Sequence, residues 1–219
     1  MPTFGFSAFL KLLSMNPRPQ KREVRMRLVP SEGGYDFHRS LRLKSGRLIF
    51  GGESLESLID EAVDFANPAE RRSLEAGLRQ LDDWRAGLRA AAFQIPPALY
   101  TSPAGEFRIS FVPDFGCVLG TQTVAVHLWN TSSVPLSQRM TYAALALAHT
   151  AYDGDIVPDD VAVLSLPENR LYRLSDVPDQ SRLAAIVAAN LDRLFDSVRG
   201  EIAGTGLPPE GPPARLDEY

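Results

Sequence analysis

Apolar residues recur at every second position in the middle of the chain, and this period of two most constrains the fold. Phe107, Ile109 and Phe111 alternate with Arg108 and Ser110, as in a strand with one buried face. The pattern continues with two strands that complete an antiparallel meander, an apolar helix and two more strands, over residues 115–119, 123–129, 138–152, 161–166 and 171–174. Such elements bury their apolar faces against one another, so we predict a mixed α/β domain whose central mixed sheet is flanked by helices.

The flanking regions predict more helices and two short β segments. A helix is predicted near residues 6–13 with Ser7 as its cap, then a strand at 24–28 and a hairpin over 41–50 that turns at Ser45-Gly46. Helices at 53–66 and 68–91 form a predicted helical hairpin insertion (residues 54–91), and a last helix covers 180–202. We expect one domain over residues 1–202 and a disordered Pro/Gly-rich tail over 203–219.

The composition is typical of a protein that can bury a sizeable core. Hydrophobic residues make up 44% of the 219 residues, and charged residues make up 23%. No apolar run approaches the roughly 20 residues that span a bilayer, so no membrane partner is expected. Cys117 is the single cysteine, which excludes an internal disulfide and a cysteine-rich metal site. A cytoplasmic location is the resulting expectation.

The net charge of -4 hides an uneven distribution along the chain. Residues 1–50 contain ten lysines and arginines against three acidic residues, whereas the remainder contains 13 against 24. A basic segment joined to an acidic body is typical of proteins that bind nucleic acid or an acidic partner protein. The alternative interpretation is that the basic segment docks on the acidic body of its own chain.

Residues 31–47 interleave aromatic and basic side chains. Arginines beside aromatic rings can grip phosphates and stack on bases. The alternative is a β-hairpin whose aromatic rings fill the core and whose basic side chains point to water. The predicted contacts with nucleic acid or a partner protein are Arg25, Arg27, Tyr35, His38, Arg39, Arg42, Lys44, Arg47 and Trp129.

Three short stretches of the central segment occur in an informative order. Pro113-Asp114 follows the first strand, VAVHLWNTS (124–132) contains the third, and QRMTYAALAL (138–147) opens the helix. This order resembles the PD-(D/E)XK phosphodiesterase superfamily of bacterial-type nucleases, and most closely its RecB-like branch. The resemblance covers about residues 105–175 and implies a restriction-endonuclease-like fold with a nuclease-like core in that range.

The sequence departs from this family at two catalytic positions. In an active member two carboxylates hold a divalent metal that activates water, and a lysine helps to position that water. Asp114 supplies one carboxylate, but His127 stands at the second carboxylate position and Trp129 at the lysine position. Histidine is a poor Mg ligand, and tryptophan carries no charge. The resemblance therefore implies a pseudo-nuclease with a degenerate active site.

Three functions stay open at this point. The favoured one is a non-catalytic adaptor without a cofactor, which binds nucleic acid or a partner protein through the basic N-terminal half. The second is an active metal-dependent DNA or RNA nuclease, with Asp114 and His127 as ligands for Mg or Mn, Glu106 as a further ligand and Gln138 as a catalytic candidate. The third is a purely protein-binding regulatory or structural subunit.

Each site residue also has an interpretation without function. Asp114 fits a turn, because Pro-Asp-x-Gly is a turn signal. His127 on an apolar strand fits a hydrogen-bonded core histidine, and Trp129 fits a packing residue. Gln138 fits the first turn of a helix. The sequence contains no Gly-x-Gly-x-x-Gly, P-loop, zinc-ligand spacing or Gly-x-Ser-x-Gly motif, so it predicts no nucleophile.

Overall fold

The central strand of the structure, β5 (Gln122–Trp129), has a paired strand along each edge. The computed structural model describes residues 1–29, 39–62, 67–88, 91–153 and 157–205. Before β5 come β1 (Thr3–Gly5), α1 (Phe6–Leu13), α2 (Pro17–Leu28), α3 (Arg39–Phe50), α4 (Leu55–Asp60), α5 (Pro68–Arg85), β2 (Ala98–Thr101), β3 (Arg108–Phe111) and β4 (Phe115–Leu119). After it come α6 (Gln138–Thr150), β6 (Asp160–Ser165), β7 (Arg170–Arg173), a 3-10 turn (Leu174–Asp176) and α7 (Ser181–Thr205).

Two sheets organise these elements. The larger has the order β4-β5-β6-β7, in which β5 is antiparallel to β4 and parallel to β6, and β7 is antiparallel to β6. The smaller has the order β1-β3-β2, with β1 parallel and β2 antiparallel to β3. Helices cover both sheets, so the predicted mixed α/β class with a mixed sheet flanked by helices is confirmed.

The alternation of side chains along β5 divides the core in two. Val124, Val126 and Leu128 pack on one face of the sheet, in a cluster that includes apolar residues of α3, α4 and α5. Ala125 and Trp129 pack on the other face, with α1, α6, α7 and the smaller sheet. Because successive strand residues point to opposite faces, residue 127 belongs to the second face. This places His127 beneath α1.

Two predicted β segments in the N-terminal half are wrong. Residues 24–28 lie in α2, whose prolines Pro17 and Pro19 occupy its first turn, where a missing N–H costs nothing. The predicted hairpin over residues 41–50 is helix α3. Its buried residues Leu41, Lys44, Ser45 and Leu48 are spaced three and four apart, so that they form one helical face.

The remaining predicted elements are mostly confirmed, with changed ends. The strand and helix order from residue 107 to α7 is as predicted, but β3 leaves the meander and pairs with β1 and β2 instead of β4. The 54–91 segment contains α4 and α5, which end earlier than predicted, and residues 63–66 and 89–90 lie outside the described part. Helix α7 takes up residues 203–205 of the predicted tail, and the rest lies outside the described residues.

The helical conformation of α3 can be tested by a substitution at Gly46. In a hairpin turn this glycine would need a positive φ, which alanine tolerates poorly. Within α3 an added Cβ meets nothing within 4 Å, so Gly46→Ala should raise the free energy of unfolding by about 0.5–1 kcal/mol. Chemical denaturation measures this change, and a loss of stability would argue against the helix.

Gly116 offers the opposite case in β4. A Cβ there would lie 2.6 Å from Ile95 Cγ1 and 2.7 Å from Phe93 Cε2, closer than packed atoms come. Gly116→Ala should therefore destabilise the protein by about 1–3 kcal/mol, the usual cost of overpacking. Chemical denaturation of both variants should show that Gly116→Ala lowers the free energy of unfolding and that Gly46→Ala raises it.

Candidate functional site in a cleft between α1 and β5

Asp114 lies in the link between β3 and β4 and is fixed to β5 by two hydrogen bonds. Its backbone N–H donates to the carbonyl of Val126 at 2.8 Å. Its side-chain Oδ2 accepts a bond from the backbone N–H of Leu128 at 2.7 Å. Because these partners flank residue 127, the Asp114 carboxyl is held beside the His127 side chain.

His127 links Asp114 to a serine at the other end of the sequence. Its Nδ1 lies 3.3 Å from Asp114 Oδ2 and 3.4 Å from the carbonyl oxygen of Val112. Its Nε2 lies 2.7 Å from Ser7 Oγ. Two acceptors at Nδ1 assign the proton to that nitrogen, so Nε2 is left to accept the hydroxyl proton of Ser7. The result is a Ser7–His127–Asp114 chain of polar contacts.

The turn from β1 into α1 positions Ser7. Gly5, the last residue of β1, pairs with Ser110 of β3 and also caps α1, without a side-chain acceptor. Ser7 is therefore the second residue of the helix, not the cap predicted from the sequence. It is half-buried, whereas His127 is 5% exposed.

Aromatic rings surround the imidazole and lower the polarity of the site. The ring of Phe6 meets that of His127 edge to face at 5.2 Å, and the ring of Phe111 lies 6.2 Å away. Burial lowers the pKa of His127 below its ordinary value, although Asp114 opposes this shift. Burial raises the pKa of Asp114, against the opposing effects of His127 and the Leu128 N–H. The imidazole is therefore neutral at neutral pH and can accept a proton.

These three residues open into a cleft of about 1080 Å³. Lys11, Arg27 and Arg42 line it together with two acidic residues, Glu23 and Asp114, and Arg27 pairs with Glu23 at 3.4 Å. Polar side chains with uncharged hydrogen-bonding groups complete the wall, among them Ser73, Ser110, Asn130, Thr131, Ser132 and Ser133. The cleft wall thus combines apolar and polar side chains, and basic residues outnumber acidic ones by three to two.

Half of the six predicted lysine and arginine contacts lie elsewhere and bind acidic residues of the same chain. Arg25 pairs with Glu201, Lys44 pairs with Glu61, and Arg47 contacts Glu61 and Glu53. Of the predicted set, Arg27 and Arg42 reach the cleft. Arg39 is exposed on α3, and Tyr35 and His38 lie outside the described residues. Several basic residues of the N-terminal segment therefore bind acidic residues of the same chain, as the alternative interpretation expects.

Other predicted site residues do not join this cleft. Trp129 is 2% exposed and packs in the core, so its ring is not available to stack on a base. Gln138 is exposed at the start of α6 and is absent from the cleft wall. Glu106 forms an ion pair with Arg199 of α7 at 2.6 Å. Of the candidate nuclease residues, the structure brings together Asp114 and His127 alone.

The donor set is a poor fit for a divalent metal. Within the described residues no group of three or more His, Cys, Asp or Glu side chains is arranged to hold an ion. His127 uses both nitrogens, one toward Ser7 and one toward Asp114. Asp114 Oδ2 already accepts from Leu128. Magnesium prefers several oxygen ligands in near-octahedral geometry, which this pair does not supply.

Comparison with known proteins adds no family to this description. No protein-family model matches the chain, and a search of curated proteins returns no match. The resemblance to PD-(D/E)XK nucleases therefore stays a prediction. None of the helices in the described ranges is long and apolar enough to cross a membrane.

Ser7 is the residue that the sequence did not identify. Its contact with His127 spans 120 residues of chain, and no short motif joins the two. The available signal was Thr3–Gly5 running directly into an apolar helix, whose first backbone N–H groups have no acceptor within the helix. Only the pairing of β1 with β3 brings that turn near residue 127, and the sequence does not reveal this pairing.

The lowered pKa of His127 predicts a pH dependence of stability. The unfolded chain takes up a proton near the ordinary pKa of 6.5, and the folded protein takes it up only at lower pH. The contribution of neutral His127 to the free energy of unfolding should therefore be complete above the ordinary pKa. It should fall at lower pH by up to about 1.4 kcal/mol per pH unit. In chemical denaturation between about pH 7.5 and pH 5.5, His127→Gln should lose less stability than the wild type.

Asp114 works in the opposite sense and gives a control. A raised carboxyl pKa stabilises the fold at low pH, and that contribution disappears as the pH rises through the folded-state pKa. Asp114→Asn removes this contribution and also the charge that favours protonated His127, so its stability should fall at least as steeply as that of the wild type on acidification. A flat profile for this variant would contradict the assignment.

Proposed function

We propose that the protein is a nucleic-acid-binding adaptor on a nuclease-like fold, and that it does not hydrolyse phosphodiesters by divalent-metal catalysis. The observation that carries the proposal is the position of Lys11, Arg27 and Arg42 around one cleft. Phosphate groups dominate the affinity of proteins for nucleic acids, and they are bound by such cations and by hydrogen-bonding side chains. The cleft offers both.

The order of elements supports the nuclease-like part of the proposal. Asp114 precedes β4, His127 and Trp129 end β5, and Gln138 begins α6. The helix α6 then connects β5 to its parallel neighbour β6. This is the order of strand, strand, helix and strand on which the resemblance rests.

Helix α1 adds to the attraction for phosphate. Its first backbone N–H groups have no acceptor within the helix, and its macrodipole places partial positive charge at that end. Ser7 and Ala8 of this first turn line the cleft. An anionic group in the cleft would meet the helix end as well as the side-chain cations.

The proposal predicts which cations support binding. Lys11→Ala and Arg42→Ala should each weaken the binding of a labelled oligonucleotide, and each should reduce the slope of log affinity against log salt by about 1. Fluorescence anisotropy with single- and double-stranded DNA and RNA across a salt series measures both effects. Lys21→Ala is the matched control, because Lys21 pairs with Glu201 outside the cleft wall.

Two outcomes would change the assignment. No binding of any oligonucleotide at low salt would reject a nucleic-acid ligand, because phosphate contacts strengthen as salt falls. A stoichiometric co-purifying protein would then favour the purely protein-binding subunit. An equal loss of affinity in Lys21→Ala and Lys11→Ala would mean that binding depends on overall charge and not on the cleft.

The metal-independent part of the proposal has its own test. The oligonucleotide should stay intact in EDTA, in Mg and in Mn, because Asp114 and His127 engage each other. Gel electrophoresis of the substrate after long incubation checks this. Cleavage that requires Mn and disappears in Asp114→Ala would instead establish the nuclease alternative.

A further inference from the structure

We infer that Ser7, His127 and Asp114 form a nucleophilic relay, with which the cleft hydrolyses carboxylic esters of negatively charged molecules. The inference goes beyond the binding function proposed above and rests on it for the charge of the substrate alone. All three residues line the same cleft, so a substrate in it can reach the serine. Binding of nucleic acid does not require Ser7, His127 and Asp114 to contact one another in this order.

The distances match the roles that nucleophilic catalysis needs. Ser7 Oγ is 2.7 Å from Nε2 of His127, within reach for proton transfer. On the far side of the ring, Nδ1 faces Asp114 Oδ2 at 3.3 Å. Asp114 is itself held by the Leu128 N–H. A nucleophile, a base and a group that orients the base are thus connected in sequence.

The first turn of α1 supplies the remaining requirement, which is stabilisation of an oxyanion. Ser7 and Ala8 occupy the second and third positions of the helix, where backbone N–H groups have no intrahelical acceptor. Gly5 at the cap provides no side-chain acceptor for them. These amides are next to the nucleophile, so they can donate to an oxygen that becomes negative during attack.

The reaction balances with water as its only co-reactant. Ser7 Oγ attacks the ester carbonyl carbon while its proton passes to His127 Nε2, and the carbonyl oxygen becomes the oxyanion. The C–O bond to the alcohol then breaks, and the alcohol leaves with the proton from Nε2. Water next gives a proton to Nε2 and attacks the acyl-Ser7 carbonyl. The acid is released as Ser7 Oγ recovers that proton.

The cleft wall selects the charge of the substrate. Outside the relay, Lys11, Arg27 and Arg42 line the cleft with one acidic residue, Glu23, which pairs with Arg27 and leaves an excess of positive charge. Of these, Arg42 lies close enough to affect the pKa of both Asp114 and His127. An ester that carries a carboxylate, sulfonate or phosphate group is therefore favoured over a neutral ester of the same size.

Covalent labelling tests the relay without depending on the substrate. An alkyl fluorophosphonate should modify wild-type protein at Ser7, as located by mass spectrometry of the digested chain. Ser7→Ala should abolish labelling, and His127→Gln should slow it by about 10²-fold or more. Ser14→Ala is the matched control, since Ser14 ends the same helix outside the cleft wall and should label at the wild-type rate.

Asp114 is a positioning residue, so its test uses a pH profile. Its negative charge favours protonated His127, and Arg42 acts in the opposite direction. In Asp114→Asn the labelling rate should fall, and the midpoint of its rise with pH should move to lower pH. Circular dichroism of each variant separates these effects from a loss of folding.

A matched pair of esters tests the substrate class. The kcat/KM for 4-nitrophenyl 4-sulfobenzoate should exceed that for 4-nitrophenyl benzoate, and Lys11→Ala should reduce that preference. Absence of labelling at Ser7 in the folded wild type, or equal labelling in folded His127→Gln, would overturn the relay. Oligonucleotide binding is measured separately, so failure of the relay and failure of the proposed function are distinguishable.

Discussion

The hydrogen bond from the Leu128 N–H to the Asp114 carboxyl is the contact on which the site depends. Together with the bond from the Asp114 N–H to Val126, it ties the β3–β4 link to β5 on both sides of residue 127. The strand β5 is paired along both edges and buried on both faces, so its register is strongly specified. A slip of one residue would turn His127 to the opposite face of the sheet.

Burial of the His127 and Asp114 side chains lowers the stability of the fold. An imidazole and a carboxyl group lose their hydration beside Phe6 and Phe111, and burial of such groups is unfavourable unless their hydrogen bonds are satisfied. Replacing a buried polar pair by apolar residues of similar volume is often neutral or stabilising. Buried titratable groups with perturbed pKa values that open on a cleft are therefore candidates for function.

The sequence predicted the central α/β segment well because its signals are long and consistent. The strands from Phe107 to Trp129 alternate over many residues, and α6 is apolar from Tyr142 to Ala148, so period and length agree. The N-terminal half was predicted wrongly because its alternations cover few residues. Leu41 and Leu43 fit a strand by spacing, although α3 is a helix. The pair Asp114 and His127 came from the order of motifs. Ser7 could not be identified in this way, because only the pairing of β1 with β3 brings it to the cleft.

The parallel pairing of β1 with β3 also has a consequence for biosynthesis. Ser7 leaves the ribosome before its partner His127, which follows 120 residues later. At about 5–20 residues per second this delay amounts to roughly 6–24 s, during which the hydroxyl has no imidazole beside it. The two ends of the domain must meet before the cleft exists, as α2 also meets α7 through Lys21 and Glu201. A nascent chain that has not yet reached residue 127 therefore lacks the Ser7–His127 contact.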